Sequence, residues 1–171
     1  MITPILVLFV LQIPEKQTLP GATNVTRVDA TIACGGATTV EAFPALKKQG
    51  FASIINLRRD VEPGADIPGA KAAATANGLT YIHIPVDSAN PSPEAADAFL
   101  KAVTNPANQP AYIHCASANR VGAMWFIKRV VIDGWDADRA MKEAEAIGLT
   151  NPGLKQFARD YAAKHRKPDT R

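Results

Sequence analysis

The chain has 171 residues, of which 47% are hydrophobic and 20% are charged, and its formal net charge is +3. This size and composition are typical of one soluble globular domain with enough apolar residues to form a core. Much of the positive excess lies in the C-terminal segment KHRKPDTR, whose last residues, 167–171, we interpret as a basic tail. Because no dense basic stripe with interleaved aromatic residues is present, we expect no nucleic-acid partner.

The sequence gives no sign of a metal or nucleotide cofactor. Two cysteines and three scattered histidines do not provide a plausible zinc ligand set. The Gly-Lys-Ser/Thr sequence of a nucleotide-binding loop does not occur. We therefore expect a protein that works without a metal ion and without an organic cofactor.

The N-terminal segment is apolar over residues 2–13, ITPILVLFVLQI. This run is too short to span a bilayer as a helix, but it suits the hydrophobic part of a signal peptide, and LPGA at 19–22 offers small residues for cleavage. No Lys or Arg precedes the run, so a buried first strand is the alternative. We interpret 1–22 as a signal peptide or an apolar N-terminal segment, followed by a single domain at 23–166. Export would place the protein in the periplasm or outside the cell, without stable membrane insertion after processing, and a cytoplasmic location is the alternative.

Strand-like and helix-like segments alternate along the domain. Ser92 is a predicted N-cap with Pro93 in the first turn of its helix, and Gly50 is expected to end an earlier helix. In chain order, the patterns predict strand 27–34, helix 38–50, strand 52–57, a Pro- and Gly-rich loop at 58–69, helix 70–78, strand 80–86, helix 93–103, strand 110–114, and helices 120–134, 136–148 and 151–165.

Strands that alternate with helices indicate an α/β fold on a largely parallel sheet. We predict three layers, with four to five strands in a central, mostly parallel sheet flanked by helices. In such sheets, ligands bind beyond the carboxyl ends of the strands. Cys115 follows strand 110–114 and precedes helix 120–134, so it lies where a binding site is expected.

The segment AYIHCASANR, residues 111–120, combines a thiol, a run of small residues and a guanidinium. Backbone N–H groups at the start of the following helix have no intrahelical partner and can converge on an anion. The helix dipole favours a thiolate at Cys115, and Arg120 can hold a phosphate or sulfate through two parallel N–H groups. The pattern predicts an anion site with a nucleophile in its floor, although Cys115 could instead be a buried structural cysteine. The other predicted anion-binding residues are Ala116, Ser117, Ala118 and Asn119.

The loop HCASANR resembles the signature loop of the cysteine-dependent protein tyrosine and dual-specificity phosphatases. The order of GFASIINLR, GLTYIHIPV, PAYIHC and RVGAMWFIKRVVIDGWDADRAMKEAEAIGL is also similar to that of compact bacterial members, above all the beta-lactamase-hydrolase-like or tyrosine-phosphatase-like branch. The resemblance covers about residues 28–150. It implies a phosphatase-type fold and hydrolysis of a phosphorylated substrate, either a protein or a small molecule, with Cys115 as a nucleophile that forms a cysteinyl-phosphate and Arg120 as a phosphate ligand.

In this family an aspartate on another loop protonates the leaving group. Asp87 is the best candidate, because it directly follows strand 80–86 and begins the loop DSANPSP. The alternative is that Asp87 only shapes or caps this loop. Asp60 and Glu62, which follow strand 52–57, are the fallback acids.

Other residues near the loop have predicted supporting roles. His114 is expected to lie under the loop and to orient it by hydrogen bonds. Arg58 and Arg59 could line the rim of the site. Cys34 is either a buried cysteine or a thiol that resolves oxidised Cys115.

The loop departs from the common phosphatase pattern in three ways. Four residues, not five, separate Cys115 from Arg120, the usual hydroxyl residue after the arginine is Val121, and a frequent glycine is Ala118. A four-residue spacer is also characteristic of rhodanese-like sulfurtransferases, whose cysteine carries a persulfide. A rhodanese would add another strand after the loop and its helix, whereas 136–148 has a helical pattern. A sulfurtransferase and a catalytically weak anion-binding module therefore remain the alternatives.

Overall fold

The structure, a computed structural model, describes residues 14–166. The apolar run at 2–13 and the tail at 167–171 lie outside the described residues. The strands in this range are β1 Glu15–Gln17, β2 Val25–Arg27, β3 Ile32–Gly35, β4 Ser53–Asn56, β5 Thr80–His83 and β6 Ala111–His114. The α-helices are α1 Phe43–Lys48, α2 Ile67–Ala76, α3 Pro93–Thr104, α4 Asn119–Val131, α5 Ala137–Ile147 and α6 Pro152–His165.

The strands form one sheet of six in the order β1-β2-β3-β6-β4-β5. β3, β6, β4 and β5 are parallel, whereas β1 and β2 extend the sheet in antiparallel fashion beside β3. The predicted α/β fold with a mostly parallel sheet flanked by helices is confirmed, and the sheet is wider than the four to five strands expected. Because parallel strands end at the same edge, the loops that follow β3, β4, β5 and β6 meet there.

The single strand predicted at 27–34 is wrong, because this segment contains a chain reversal. Asp29 makes the turn: its Oδ1 accepts hydrogen bonds from the backbone N–H of Thr31 at 2.8 Å and of Ile32 at 3.0 Å. An Asp side chain that binds backbone two and three residues ahead favours a turn over a continuous strand. The turn folds β2 back against β3 and carries β1 to the outer edge of the sheet.

Residues 15–22, which the sequence placed in a possible signal peptide or apolar segment, are part of the domain. β1 pairs with β2 along its whole length, and Leu19 is buried in the same apolar cluster as Phe43. The domain therefore begins before residue 23, where the sequence placed its start. Within residues 14–166, no helix is both long enough and apolar enough to cross a membrane.

Several predicted helix boundaries are confirmed by their capping contacts. Ser92 Oγ accepts a hydrogen bond from the N–H of Ala95, and a proline occupies the first turn of α3. The predicted helix 38–50 divides into a 3₁₀ turn, Val40–Ala42, and the short α1. Pro44 lies in the first turn of α1, where its missing amide hydrogen costs no helical hydrogen bond.

Helix α4 forms the centre of one face of the molecule and packs against α5 and α6. Gly122 allows this close approach, because a Cβ there would lie 2.8 Å from the Ala144 carbonyl oxygen and 2.8 Å from Leu149 Cβ. In the described part of the chain, only helices follow β6. This is the continuation predicted for a phosphatase, and it differs from the extra strand expected of a rhodanese.

Candidate active site

The loop that joins β6 to α4 places Cys115 beneath its own backbone. Cys115 is fully buried, whereas Ala116 and Ser117 are exposed. Ala118 adopts a left-handed conformation with a φ of 73°, and its N–H donates to Cys115 Sγ over 3.1 Å. The Ala118 amide is therefore the loop donor that contacts the Cys115 sulfur directly.

Arg120 is held by one edge of its guanidinium. Nη1 and Nη2 bind the two carboxylate oxygens of Glu62, with Nη2 at 2.8 Å from Oε2. Nη1 also donates to the carbonyl oxygens of Leu57, at 3.2 Å, and Val86, at 3.0 Å. These carbonyls follow β4 and β5, so Arg120 ties two neighbouring loops to the start of α4.

The other edge of the Arg120 guanidinium carries Nε–H and the second Nη2 hydrogen. Within residues 14–166, no oxygen atom accepts a hydrogen bond from these two donors, and the Cys115 sulfur lies close enough to interact with the guanidinium. Burial alone would lower the pKa of Arg120, but Glu62 and Cys115 outweigh this effect and raise it above its ordinary value. The site therefore contains a permanent positive charge with an open pair of parallel donors near the Cys115 sulfur.

Glu62 has a structural role in the site and is unsuited to the acid role that the sequence gave it as a fallback. The Arg59 backbone N–H donates to Glu62 Oε1 at 2.7 Å. Hydrogen bonding from Arg120 lowers the pKa of Glu62 from 4.5 to about 2, against the opposing effect of burial. An ionised carboxylate cannot donate a proton at neutral pH, so Glu62 positions Arg120. Asp60, the other fallback, is exposed.

Asp87 lies one residue after Val86, whose carbonyl oxygen accepts from Arg120. The loop with the predicted acid therefore reaches the guanidinium directly. The Asp87 carboxylate accepts from Arg59 Nη1 at 2.7 Å and from the Ala89 N–H at 2.9 Å. Both partners of the Asp87–Arg59 ion pair are well exposed, with side-chain exposures of 36% and 43%. Such exposed pairs contribute little free energy and exchange readily, so the carboxyl can leave Arg59 at little cost.

Asn119 contributes to the loop in a way that the sequence did not predict. Its side chain does not point to an anion: Asn119 Oδ1 accepts from the N–H groups of Thr150, at 2.7 Å, and Asn151, at 2.8 Å. Asn119 Nδ2 donates to Ser117 Oγ at 3.3 Å. The backbone amides of the predicted loop therefore remain the candidate donors to an anion. The Asn119 side chain instead attaches the loop to the connection between α5 and α6.

His114 lies on the opposite face of the sheet from Cys115, as strand alternation requires. It lines a cavity of about 250 Å³ with Phe43 of α1 and Ala70 of α2. Neither ring nitrogen of His114 has a hydrogen-bond partner in the described residues; the backbone at Cys115 is near, but not in hydrogen-bond geometry. Burial lowers the pKa of His114 to about 3, so the ring is neutral. The expected hydrogen bonds from His114 to the loop are not formed.

Cys34 is a buried cysteine on β3 and is not placed to pair with Cys115. It lies opposite Ile113, two residues before Cys115, in the parallel ladder. Strand spacing and rise then put the two cysteine Cα atoms about 8 Å apart, beyond the roughly 7 Å limit for a disulfide. Burial raises the pKa of the Cys34 thiol above its ordinary value. The structure thus favours the buried-cysteine interpretation over the resolving thiol.

Two residues that the sequence did not single out reach the loop from the N-terminal strands. Asn24 Nδ2 donates to the carbonyl oxygens of Ser117, at 3.3 Å, and Ile147, at 3.2 Å. Lys16 Nζ donates to Asn24 Oδ1 at 2.6 Å. Asn24 is separated from these carbonyl partners by 93 and 123 positions in sequence, so no local pattern could have indicated the contacts.

The sheet order, the loop between β6 and α4 and the cysteine–arginine pair have the arrangement expected of the cysteine-dependent tyrosine and dual-specificity phosphatase class. A family model described as "DSP-PTPase phosphatase fused to NAD+ Kinase" matches residues 14–160, and the chain belongs to this family.

Individual relatives agree with this assignment. The chain is 33% identical over 105 residues to the beta-lactamase hydrolase-like protein of Agrobacterium fabrum, a match that covers 59% of this chain and 24% of that protein. The chain spans about a quarter of the length of the curated relatives it matches.

Solved structures share the fold. A DUF442 protein of Shewanella putrefaciens has a TM-score of 0.73 at 23% identity, covering 86% of this chain and 96% of that one. P. aeruginosa TpbA in complex with pTyr has a TM-score of 0.65 at 16% identity, covering 86% and 87%.

Proposed function

We propose that this protein hydrolyses phosphomonoesters through a cysteinyl-phosphate intermediate. The observation that carries the proposal is the open edge of Arg120 near Cys115. Its Nε–H and Nη2–H groups are parallel and match two oxygens of a phosphoryl group. Amides of the 116–119 loop, at the N-terminus of α4, can bind the remaining oxygens. We infer that a phosphoryl group held in this way would present its phosphorus to the Cys115 sulfur.

The first step transfers the phosphoryl group to sulfur. The Cys115 thiolate attacks phosphorus, the S–P bond forms, and the ester P–O bond breaks. The protonated Asp87 carboxyl donates its proton to the leaving oxygen, which departs as an alcohol or a phenol. Arg120 stabilises the charge on the oxygens that do not leave.

The second step releases phosphate and restores the enzyme. Asp87, now a carboxylate, removes a proton from a water molecule as the water oxygen attacks phosphorus. The new P–O bond forms, the S–P bond breaks, and Cys115 leaves as a thiolate. The Ala118 N–H supports this thiolate, and it does so without the hydroxyl that most members of the class carry after their arginine.

Asp87 can serve both steps only if its carboxyl is released from Arg59. The ion pair is exposed on both sides, and the bond from Ala89 involves the other carboxylate oxygen. We choose an aryl phosphate as the first test substrate, because P. aeruginosa TpbA, which shares the fold, was solved in complex with pTyr. Removing the acid should slow substrates with poor leaving groups more than substrates with good ones.

The test is a single-turnover reaction of the full chain with an aryl phosphate, beside Cys115→Ser and Asp87→Asn. Cys34→Ala is the matched control, because it removes the only other cysteine of the chain from a buried position. We expect Cys115→Ser to abolish phosphate release and Asp87→Asn to slow it by about 10²-fold for an alkyl leaving group. Cys34→Ala should react like the wild type.

The four-residue spacer makes sulfur transfer the second candidate function. The same preparations are therefore given thiosulfate and then cyanide. Thiocyanate formation that requires Cys115, without phosphate release from the aryl phosphate, would replace the phosphatase proposal by a sulfurtransferase. Absence of both products would leave an anion-binding module.

A further inference from the structure

The peptide group between Ser117 and Ala118 is bound at both ends. On its inner side, the Ala118 N–H donates to Cys115 Sγ at 3.1 Å. On its outer side, the Ser117 carbonyl oxygen accepts from Asn24 Nδ2 at 3.3 Å. Because a trans peptide is planar, its C=O and N–H point in opposite directions. A donor that fixes the Ser117 carbonyl outward therefore fixes the Ala118 N–H inward, toward the sulfur.

The conformation that places this N–H needs such support. Ala118 has a φ of 73°, which costs a residue with a Cβ about 1–2 kcal/mol relative to ordinary conformations. Rotation of the 117–118 peptide would relieve this strain and remove the N–H from the sulfur. At the Ser117 carbonyl, the hydrogen bond from Asn24 opposes this rotation.

Asn24 is itself fixed by neighbours on two elements. Lys16 Nζ donates to Asn24 Oδ1 at 2.6 Å and to Ile147 O at 3.2 Å. The second hydrogen of Asn24 Nδ2 goes to the same Ile147 carbonyl, at the end of α5. The next residue, Gly148, leaves no room for a side chain, since a Cβ there would lie 2.8 Å from Asn24 Nδ2 and 3.1 Å from Ala118 Cβ.

We propose that Asn24 is a positioning residue for Cys115: through the Ser117 carbonyl, it holds the Ala118 amide on the sulfur, and Lys16 holds Asn24. The segment Glu15–Asn24, with β1, is thereby part of the active-site structure. Asn24 contacts the loop at the Ser117 carbonyl oxygen, not at the sulfur or at Arg120, so it acts only through the loop. The consequence for catalysis rests on the proposed phosphatase function, but the geometric claim does not.

The test uses two substitutions of Asn24 in the full chain. Asn24→Asp keeps the shape and the Lys16 contact but replaces the donor by an acceptor. Asn24→Gly removes the side chain and suits the backbone, whose φ is 48°. Lys16→Met removes the support of Asn24, and Lys155→Met is its control, because Lys155 makes an ion pair with Glu145 away from the loop.

The first readout is hydrogen exchange of the Ala118 amide by NMR, which does not depend on turnover. We expect about tenfold faster exchange in both Asn24 variants, a smaller change in Lys16→Met and none in Lys155→Met. The second readout is aryl phosphate hydrolysis. Because the Ala118 N–H serves the sulfur, kcat should fall about five- to tenfold in the Asn24 variants, with KM within twofold of wild type.

Amide exchange tests the positioning role of Asn24, and kcat tests its consequence for the proposed phosphatase function. Unchanged Ala118 exchange in Asn24→Asp would overturn the positioning role, as would a kcat equal to that of the wild type in an active enzyme. A purely structural role of Asn24 would lower thermal stability and leave the Ala118 amide and kcat per folded molecule unaltered, which also contradicts the proposal. Faster exchange of the Ala118 amide in the Asn24 variants, combined with no turnover by the wild type, would support the positioning role and reject the phosphatase function.

Discussion

Helix α4 carries a buried arginine near each end, and only Arg120 lies in the candidate anion site. Arg120 is 5% exposed and Arg129 is 8% exposed, and each binds a glutamate through two nitrogens. In Arg129, Nε and Nη2 bind Glu143 at 2.7 and 3.1 Å, while Nη1 donates to Asp133 at 2.9 Å. Its Nη2 also donates to Asp29 at 3.2 Å, so all three nitrogens have partners.

The difference between the two arginines is the edge that the glutamate occupies. Glu143 takes the Nε–Nη2 edge of Arg129, whereas Glu62 takes the Nη1–Nη2 end of Arg120 and leaves the Nε–Nη2 edge open. Arg129 also stacks on the Trp125 ring at 4.6 Å, as expected of a structural residue. Residue type, burial and charge are the same in both places, so the open edge is what distinguishes Arg120, the candidate anion ligand, from the structural Arg129.

The largest effect should come from Arg120→Lys. Lysine keeps the charge but cannot bind Glu62 and a phosphoryl group with separate planar edges. We expect kcat/KM for an aryl phosphate to fall about 10³-fold, or roughly 4 kcal/mol of transition-state stabilisation. Steady-state kinetics checks this, with far-UV circular dichroism as the control for folding. Activity within tenfold of wild type would mean that the open edge is not used.

Arg129→Met should give the opposite pattern. It leaves Glu143 buried without its main partner, and breaking a buried pair in this way costs roughly 3 kcal/mol of unfolding free energy. Urea denaturation followed by fluorescence measures the loss. The folded fraction should retain kcat/KM close to that of the wild type, because the hydrogen-bond partners of Arg129 are Glu143, Asp133 and Asp29, none of which belongs to the 116–119 loop. A large loss of kcat/KM with stability unchanged would erase the distinction between the two arginines.

Glu62→Gln sharpens the comparison through pH. The pKa of Glu62 is lowered from 4.5 to about 2 in the folded protein, chiefly by its hydrogen bonds from Arg120. Its ion pair therefore stabilises the fold above pH 4.5, and this contribution is lost as the pH falls toward 2. We expect the stability advantage of the wild type over Glu62→Gln to shrink by about 1–2 kcal/mol between pH 6 and 2 after allowance for solvent screening. Urea denaturation at several pH values measures this difference in unfolding free energy. A difference that does not change with pH would contradict the Glu62–Arg120 ion pair.

Ala118→Gly should have the smallest effect. Glycine adopts the φ of 73° without a steric penalty, which should stabilise the fold by about 0.5–1 kcal/mol. Because the Ala118 N–H remains directed at Cys115, kcat should stay within threefold of wild type. Thermal denaturation and kinetics check both points. A stability loss of more than about 1 kcal/mol would show that the Ala118 methyl group, and not the strain, dominates at this position.

The sequence predicted those parts of the fold that local chemistry determines. The buried strand β4, the capped helix α3 and the last three helices have periodic patterns and identifiable ends, and these were placed correctly. The turn at Asp29 was missed because alternating residues continue through it, although an Asp two residues before a Thr is a turn signal. Because this turn reverses the chain, it also produces the antiparallel strands β1 and β2, which the sequence did not predict.

The site was predicted only where its residues are neighbours in sequence. Cys115, Arg120 and the small loop lie within six consecutive positions, so their chemistry could be inferred from one segment. Glu62 was noticed as a carboxylate, but its role depends on Arg120, 58 positions away. Asn24 and Lys16 carry no local signal, because their partners in the loop and at the end of α5 are reached only through tertiary structure. A buried arginine does, however, need a carboxylate partner, because an unpaired buried charge is costly. This requirement could have identified Glu62 as the partner of Arg120.

The most direct test of the central claim is chemical trapping of the intermediate. The wild-type protein and Cys115→Ser are mixed with an aryl phosphate, quenched in acid within one turnover, and digested for peptide mass spectrometry. We predict one phosphoryl group on the wild-type peptide that contains Cys115 and none on the corresponding peptide of the variant. Turnover by the wild type with no phosphoryl group on Cys115, or with the group on another residue, would contradict the account.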